Sequence, residues 1–121
     1  MVKKIMIVED DQIIRMLLKN IIKRIKTGVS IIECENGREA LEKMDDTVDL
    51  IFSDNNMPVM SGFELLNQLK QNKRFANIPI VMVTVEAKKN YIEKGLSSGF
   101  SDWIVKPFQT REIGRCLDQF L

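Results

Sequence analysis

Apolar residues along this 121-residue chain follow two alternating patterns. Short, dense runs occur at Ile5-Met6-Ile7-Val8, Asp49-Leu50-Ile51-Phe52-Ser53, Ile80-Val81-Met82-Val83 and Trp103-Ile104-Val105, with a weaker one over Ser30 to Cys34. Runs of this length and density suit strands buried on both faces of a parallel sheet. Between them the apolar positions fall at helical spacing. Asp11 to Ile25 carries Ile14, Leu17, Leu18, Ile21, Ile22 and Ile25, and a stretch from Gly37 or Arg38 to Met44 puts Ala40, Leu41 and Met44 on one side. Phe63, Leu66 and Leu69 mark a third helix, Glu86 to Leu96 a more polar fourth, and Ile113, Cys116, Leu117 and Phe120 the inner stripe of a fifth, over Thr110 to Leu121.

The punctuation agrees with that division. Ser61 followed by Glu64 has the spacing of a capping box, and the loop before it is Met57-Pro58-Val59-Met60-Ser61-Gly62. Pro79 precedes the fourth strand, where its missing donor costs least, and Ser97-Ser98-Gly99 ends the fourth helix. Five strands alternating with five helices, joined by short connections and right-handed crossovers, predict one doubly wound α/β domain over residues 1–121.

Polar residues able to do chemistry stand where the strands end. Glu9, Asp10 and Asp11 follow the first, Asp54 the third, Thr84 the fourth and Lys106 the fifth, so distant segments deliver their side chains to one edge of the sheet. Carboxylates gathered there repel one another, by roughly 4 kcal/mol for a pair about 4 Å apart at an effective dielectric of about 20. A hard divalent cation and one lysine supply the counter-charge. The set reads as a phosphoryl-transfer site: Asp54 as nucleophile, Asp10 as a Mg²⁺ ligand with Glu9 beside it acting through a bound water, and Lys106 as a point charge on a phosphoryl oxygen. Thr84 adds a hydroxyl donor. Asp11 has a second reading, as the N-cap of the first helix.

Composition narrows the classes further. Eighteen basic and 17 acidic residues leave a formal charge of +1, and the small Lys19, Lys23, Arg24, Lys26 group is a solvated helix face, so direct nucleic-acid binding is not expected. The absence of histidine excludes a His-based triad, a His-rich zinc site and a phosphohistidine carrier. Cys34 and Cys116 lack metal-ligand spacing and read as buried free thiols of a reducing compartment. The apolar run after Met1-Val2-Lys3-Lys4 is too short for a signal peptide or membrane span, so a cytoplasmic protein is expected.

Val8-Glu9-Asp10-Asp11, Asp54-Asn55-Asn56-Met57-Pro58-Val59-Met60-Ser61-Gly62, Thr84 and Lys106-Pro107-Phe108, in this order and spacing, resemble the receiver domain of two-component response regulators, of the single-domain, CheY-like kind. The resemblance spans the whole chain. It implies a flavodoxin-like sheet in the order 2-1-3-4-5, with Asp54 as phosphoacceptor and Glu9 and Asp10 as the acidic pair. It also implies Mg²⁺ held by the side chains of Asp10 and Asp54 and the backbone carbonyl of Asn56. Lys106 matches the family lysine, Thr84 the switch hydroxyl and Trp103 the switch aromatic, while Asn56 and Glu86 fall where they flank a hydrolytic water. Two positions depart from the pattern: Trp103 stands where tyrosine or phenylalanine is usual, and Val85 where alanine or glycine is common.

The function this implies is a phosphorylation-activated receiver that takes its phosphoryl group from a sensor histidine kinase, a histidine phosphotransfer protein or a small donor such as acetyl phosphate. It hydrolyses its own acyl phosphate rather than turning over a substrate. Its output is binding, through the Glu86 to Leu96 helix, the Trp103 strand and the last helix, to an unidentified target or to a second copy of itself in a homodimer. Lys88, Lys89, Asn90, Tyr91 and Lys94 would face that partner, with part of Trp103 if its ring points outward. A phosphorylation-independent interaction module is the alternative, favoured by Val85 and Trp103. A small phosphohydrolase is disfavoured, because 121 residues leave little room for a substrate-enclosing cap.

Overall fold

The computed structural model describes residues 2–121. Strands β1 (Lys4–Val8), β2 (Ser30–Cys34), β3 (Leu50–Ser53), β4 (Ile80–Thr84) and β5 (Asp102–Val105) alternate with helices α1 (Gln12–Ile25), α2 (Gly37–Lys43), α3 (Gly62–Lys70), α4 (Lys89–Ser98) and α5 (Thr110–Phe120). All strand pairings are parallel, and the sheet order is β2-β1-β3-β4-β5. This is the flavodoxin-like order, with β1 and β3 adjacent at the point where the winding reverses.

Burial explains the sequence pattern. Every residue of β3 and β4 is buried, because helices cover both faces of these central strands, whereas most of β2 at the sheet's edge is only half-buried. Alternate strand residues feed two cores. Met6, Val8, Ile51 and Met82 meet Leu65, Leu66 and Leu69 of α3 on one face, while Ile5, Ile7, Phe52 and Val83 meet Leu18 and Ile22 of α1 and Ile113, Cys116 and Leu117 of α5 on the other. Both cysteines are free and buried. The register pairs Val8 with Cys34 and Ser53, and Thr84 with Val105, which levels the carboxyl ends of the strands.

One alternative read from the sequence is borne out, and two expectations need adjustment. Asp11 is the N-cap of α1, its Oδ1 accepting from the amides of Ile13 (2.9 Å) and Ile14 (3.1 Å), so the helix proper begins at Gln12. Leu17 does not belong to the buried stripe of α1: it is half exposed, as is Met16, and Ile13 is more so, because the helix rests on the sheet through Leu18 and Ile22. Helix α4 begins at Lys89 rather than Glu86 and continues through Ser97 and Ser98 to a cap at Gly99, whose φ is 124°. Glu86 lies in the loop before it, with its carboxylate accepting from the Lys88 amide at 3.0 Å. That bond gives the chain a local alternative to helix at Glu86. No helix among the described residues is long and apolar enough to cross a membrane.

Candidate functional site

A cleft of about 470 Å³ opens at the carboxyl ends of β1, β3 and β5, lined by Glu9, Asp10, Asp11, Ile14, Asp54, Asn56, Val85, Lys106 and Pro107. Its acidic half comes from the turn after β1. Buried Glu9 and exposed Asp10 point different ways along an extended chain, yet the turn into α1 brings both to the rim. Oxygen atoms of Glu9, Asp10 and Asp54 all lie within 4.8 Å of one another.

Asp54 is almost fully buried at the end of the central strand. Its backbone amide donates to the Val8 carbonyl at 2.9 Å, and its Oδ1 accepts from the Asn55 amide at 2.8 Å. The loop beyond it is held from several sides. Asn55 accepts from Met57 and Gly62 through its carbonyl and from Phe63 through its side chain, and Ser61 and Glu64 form the expected capping box at the start of α3. Gly62 is required here: a Cβ at this position would lie 2.5 Å from the Asp54 carbonyl oxygen. Val59 in the same loop has φ of 71°, closing a tight turn in which the Met60 amide donates to the Pro58 carbonyl at 2.7 Å. For a β-branched residue that conformation costs on the order of 1–3 kcal/mol.

Lys106 ties the two acidic segments together. Its Nζ lies 2.5 Å from Glu9 Oε1 and 3.4 Å from Asp54 Oδ2. Burial pushes the Glu9 carboxyl up to about 7, against the pull of the Lys106 hydrogen bond, and the Asp54 charge adds to the rise. Burial works to lower Lys106, but the Glu9 hydrogen bond and the Asp54 charge outweigh it, and the ammonium form is stabilised. Both members thus bind protons more tightly than usual: Glu9 and Asp54 share one lysine, and the more buried Glu9 is the one pushed upward. Lys106 is followed by a cis peptide to Pro107.

The donor set fits a hard cation. Three carboxylates converge, with the Lys106 ammonium paired to two of them, and oxygen-rich, anionic sites of this kind suit Mg²⁺. Asn56 lines the same cleft.

Other expected site residues lie outside it. Thr84 is fully buried at the end of β4 and does not line the cleft; its hydroxyl accepts a long 3.5 Å bond from the Glu86 amide. Glu86 does not line the cleft either. Trp103 faces inward, 8 % exposed, so it offers nothing to an outer surface; its indole Nε1 donates to the Glu86 carbonyl at 2.9 Å. The ring sits against Gly95 of α4, where a Cβ would come within 2.3 Å of it, and beside Phe63 and Phe100 at centroid distances of 6.3 and 6.2 Å. Val85 is 65 % exposed and lines the cleft. Sequence reasoning passed over the structural parts played by Asn55, Gly62 and Gly95, and over Arg15, whose guanidinium donates to the Glu9 carbonyl at 2.7 Å. A polar residue on the sheet-facing side of α1 was the one available signal for Arg15.

A family model described as response regulator receiver domain matches residues 5–118. The chemotaxis protein CheY1 of Helicobacter pylori is 34% identical over 120 residues, covering 98% of this chain and 96% of that protein. A histidine kinase, P4, of Formosa agariphila is 38% identical over 110 residues, 90% of this chain but 8% of the kinase. Among solved structures, the chemotaxis response regulator CheY4 of Vibrio cholerae superposes with a TM-score of 0.86 at 31% identity, covering 100% of both chains.

Proposed function

The chain belongs to the response regulator receiver domain family, and on that premise we propose that it accepts a phosphoryl group on Asp54 and relays it as a change in protein binding. The observation that carries this is the placement of Asp54: on the central strand, at the floor of the cleft, with the Lys106 ammonium 3.4 Å from its Oδ2 and carboxylates of Glu9 and Asp10 beside it. Glu9 is engaged by Lys106 and by the Asp11 amide, and Asp10 stands at the exposed rim. Asp54 is the carboxylate left facing an incoming group.

Asp54 attacks the phosphorus of a phosphohistidine on a sensor kinase or phosphotransfer protein, or of acetyl phosphate. The new O–P bond forms as the bond to the leaving group breaks, and the product is an acyl phosphate. Asp10, Asp54 and Asn56 are the residues that would hold Mg²⁺, with Glu9 behind them. When bound, the ion neutralises charge on the transferred phosphoryl oxygens. Lys106 contacts one of those oxygens, and the Thr84 side chain rotates to donate its hydroxyl proton to another, which carries its oxygen away from the Glu86 amide. Asn56, exposed on the cleft, is assigned to orienting the water that later hydrolyses the acyl phosphate. Glu86 can join it only after releasing the Lys88 amide.

The output is assigned to α4, β5 and α5, in the cytoplasm, where a kinase's phosphohistidine is available. The partner is an unidentified protein or a second copy of the chain. One observation favours a phosphorylation-independent binding module instead: Trp103 is already buried and hydrogen-bonded. Incubation with labelled acetyl phosphate and Mg²⁺ separates the two readings. Stoichiometric labelling that is lost in Asp54→Asn is expected; a D54N protein labelled as heavily as wild type would overturn the assignment.

A further inference from the structure

We propose that Arg15 is a positioning residue for the acidic turn, its guanidinium fixing the Glu9–Asp10 peptide so that both carboxylates are held for a divalent cation. The inference rests on the reading that Glu9, Asp10 and Asp54 form the Mg²⁺ site.

Arg15 sits one turn into α1, yet its side chain is only 11 % exposed, unusual for the long cation of a surface helix. It is held by both ends of its fork. Nη1 donates to the Glu9 carbonyl at 2.7 Å, and Nε donates to Glu33 Oε1 at 3.2 Å. Glu33 belongs to β2, where it pairs in register with Ile7 of β1, and its other oxygen accepts from Lys19 Nζ at 2.9 Å. Hydrogen bonds from Lys19 and Arg15 hold the Glu33 carboxyl below the usual range, so the anchor stays charged.

The result is a brace from the sheet, through Glu33 and Arg15, to one carbonyl. Glu9 is then restrained at every polar group: its amide donates to the Cys34 carbonyl at 2.9 Å, its carbonyl accepts from Arg15, and its carboxylate accepts from Lys106 and the Asp11 amide. The Glu9 carbonyl lies in the same peptide plane as the Asp10 amide, so holding it sets the direction in which the Asp10 Cα and side chain leave β1. Asp10 itself is exposed, and among the described residues no hydrogen bond holds its carboxylate as Glu9 is held. Groups that orient metal ligands from behind typically change affinity by about 10–100-fold when removed.

Charge and position make opposite demands, and that supplies the test. Arg15 is a cation beside an acidic cluster, so if it acted only through its charge, neutralising it would tighten Mg²⁺ binding. As a brace, its removal weakens binding. Calorimetric Mg²⁺ titration of the full chain, well below the melting temperature of each variant, should show Arg15→Gln weaker than wild type by about tenfold or more. Arg15→Lys keeps the charge but cannot serve both acceptors in fork geometry, and should be weaker by about threefold. Glu33→Gln should add little to the loss already present in R15Q, because it acts through the same guanidinium. R15Q binding Mg²⁺ as tightly as wild type or more tightly overturns the proposal, as does R15K matching wild type or full additivity of E33Q with R15Q. A wild-type protein that binds no Mg²⁺ overturns the metal reading itself, a result distinct from wild-type binding that survives undiminished in R15Q.

Discussion

Glu9 shows how a single buried carboxyl couples this site to pH. Its ordinary value of 4.5 is raised to about 7 because burial outweighs the Lys106 ion pair, so the folded, metal-free protein retains a proton that the unfolded chain releases near 4.5. The sign follows: between roughly pH 4.5 and 7 this group makes folding less favourable as pH rises, and above about 7 its contribution levels off. A cation in the cleft demands the deprotonated form and expels that proton. Thermal melts at pH 5.5, 6.5 and 7.5, each with and without Mg²⁺, should show a metal-dependent increment that grows with pH. Apparent Mg²⁺ affinity should fall by about tenfold per pH unit below 7, and Glu9→Gln should flatten the dependence. An increment independent of pH in the wild-type protein would place Glu9 outside the metal's electrostatic reach.

Helix α4 and strand β5 meet through a steric exchange in which Gly95 lacks a side chain where the Trp103 ring packs against the helix. A Cβ at Gly95 would stand 2.3 Å from Trp103 Cζ3 and 2.7 Å from Cε3, closer than van der Waals packing permits. Gly95→Ala should therefore cost about 1–3 kcal/mol through overpacking despite alanine's better helix propensity, and should shift the emission of the sole tryptophan as the indole is forced outward. Gly114 in α5 is the control, since its Cβ would meet nothing nearer than Ile25 Cδ1 at 3.7 Å; Gly114→Ala should stabilise by about 0.5–1 kcal/mol. Equal stability of the two alanine variants in chemical denaturation would remove the steric argument. The pair also marks what the sequence can reveal. The central strands were legible because burial on both faces leaves an unbroken apolar run, and Glu9, Asp54 and Lys106 were legible because each directly follows a strand run, with Asp10 one residue further on. The start of α4 was not, because the Glu86 carboxylate turns back onto the Lys88 amide, a local bond with no signature in apolar spacing. Gly62, Gly95 and Arg15 were illegible for another reason: each matters for an atom eight or more positions away, on Asp54, Trp103 and Glu33 respectively, and the order of the strands itself came from resemblance rather than from periodicity.

Across the whole molecule, the cleft and the α4–β5 face share one short segment. Thr84 ends β4, Val85 lines the cleft, and Glu86 accepts the Trp103 indole through its carbonyl while its amide donates to the Thr84 hydroxyl. The bond to Thr84 is long at 3.5 Å and the bond to Trp103 is short at 2.9 Å, so the loop is held firmly on the α4 side and loosely on the cleft side. A phosphoryl group on Asp54 would offer strong acceptors to the Thr84 hydroxyl proton, and rotation of that side chain toward them would carry its oxygen away from the Glu86 amide, the weaker of the two restraints. Release of that bond would free the Glu86 peptide to shift, and Trp103, Gly95 and α4 would be expected to follow. Only differential stability between the two arrangements can move the population, and the loss of one long bond asks for no more than a small difference. Addition of beryllofluoride and Mg²⁺, a mimic of the phosphoryl group, should change Trp103 emission and alter amide exchange in the Val85 to Ser98 segment. In Thr84→Ala the mimic should still bind, read by calorimetry, while the emission change is lost. An emission change of the same size in Thr84→Ala would mean that the signal reaches Trp103 by another route, and a wild-type protein that binds the mimic without any change at Trp103 would mean that the α4–β5 face is fixed whether or not Asp54 is loaded.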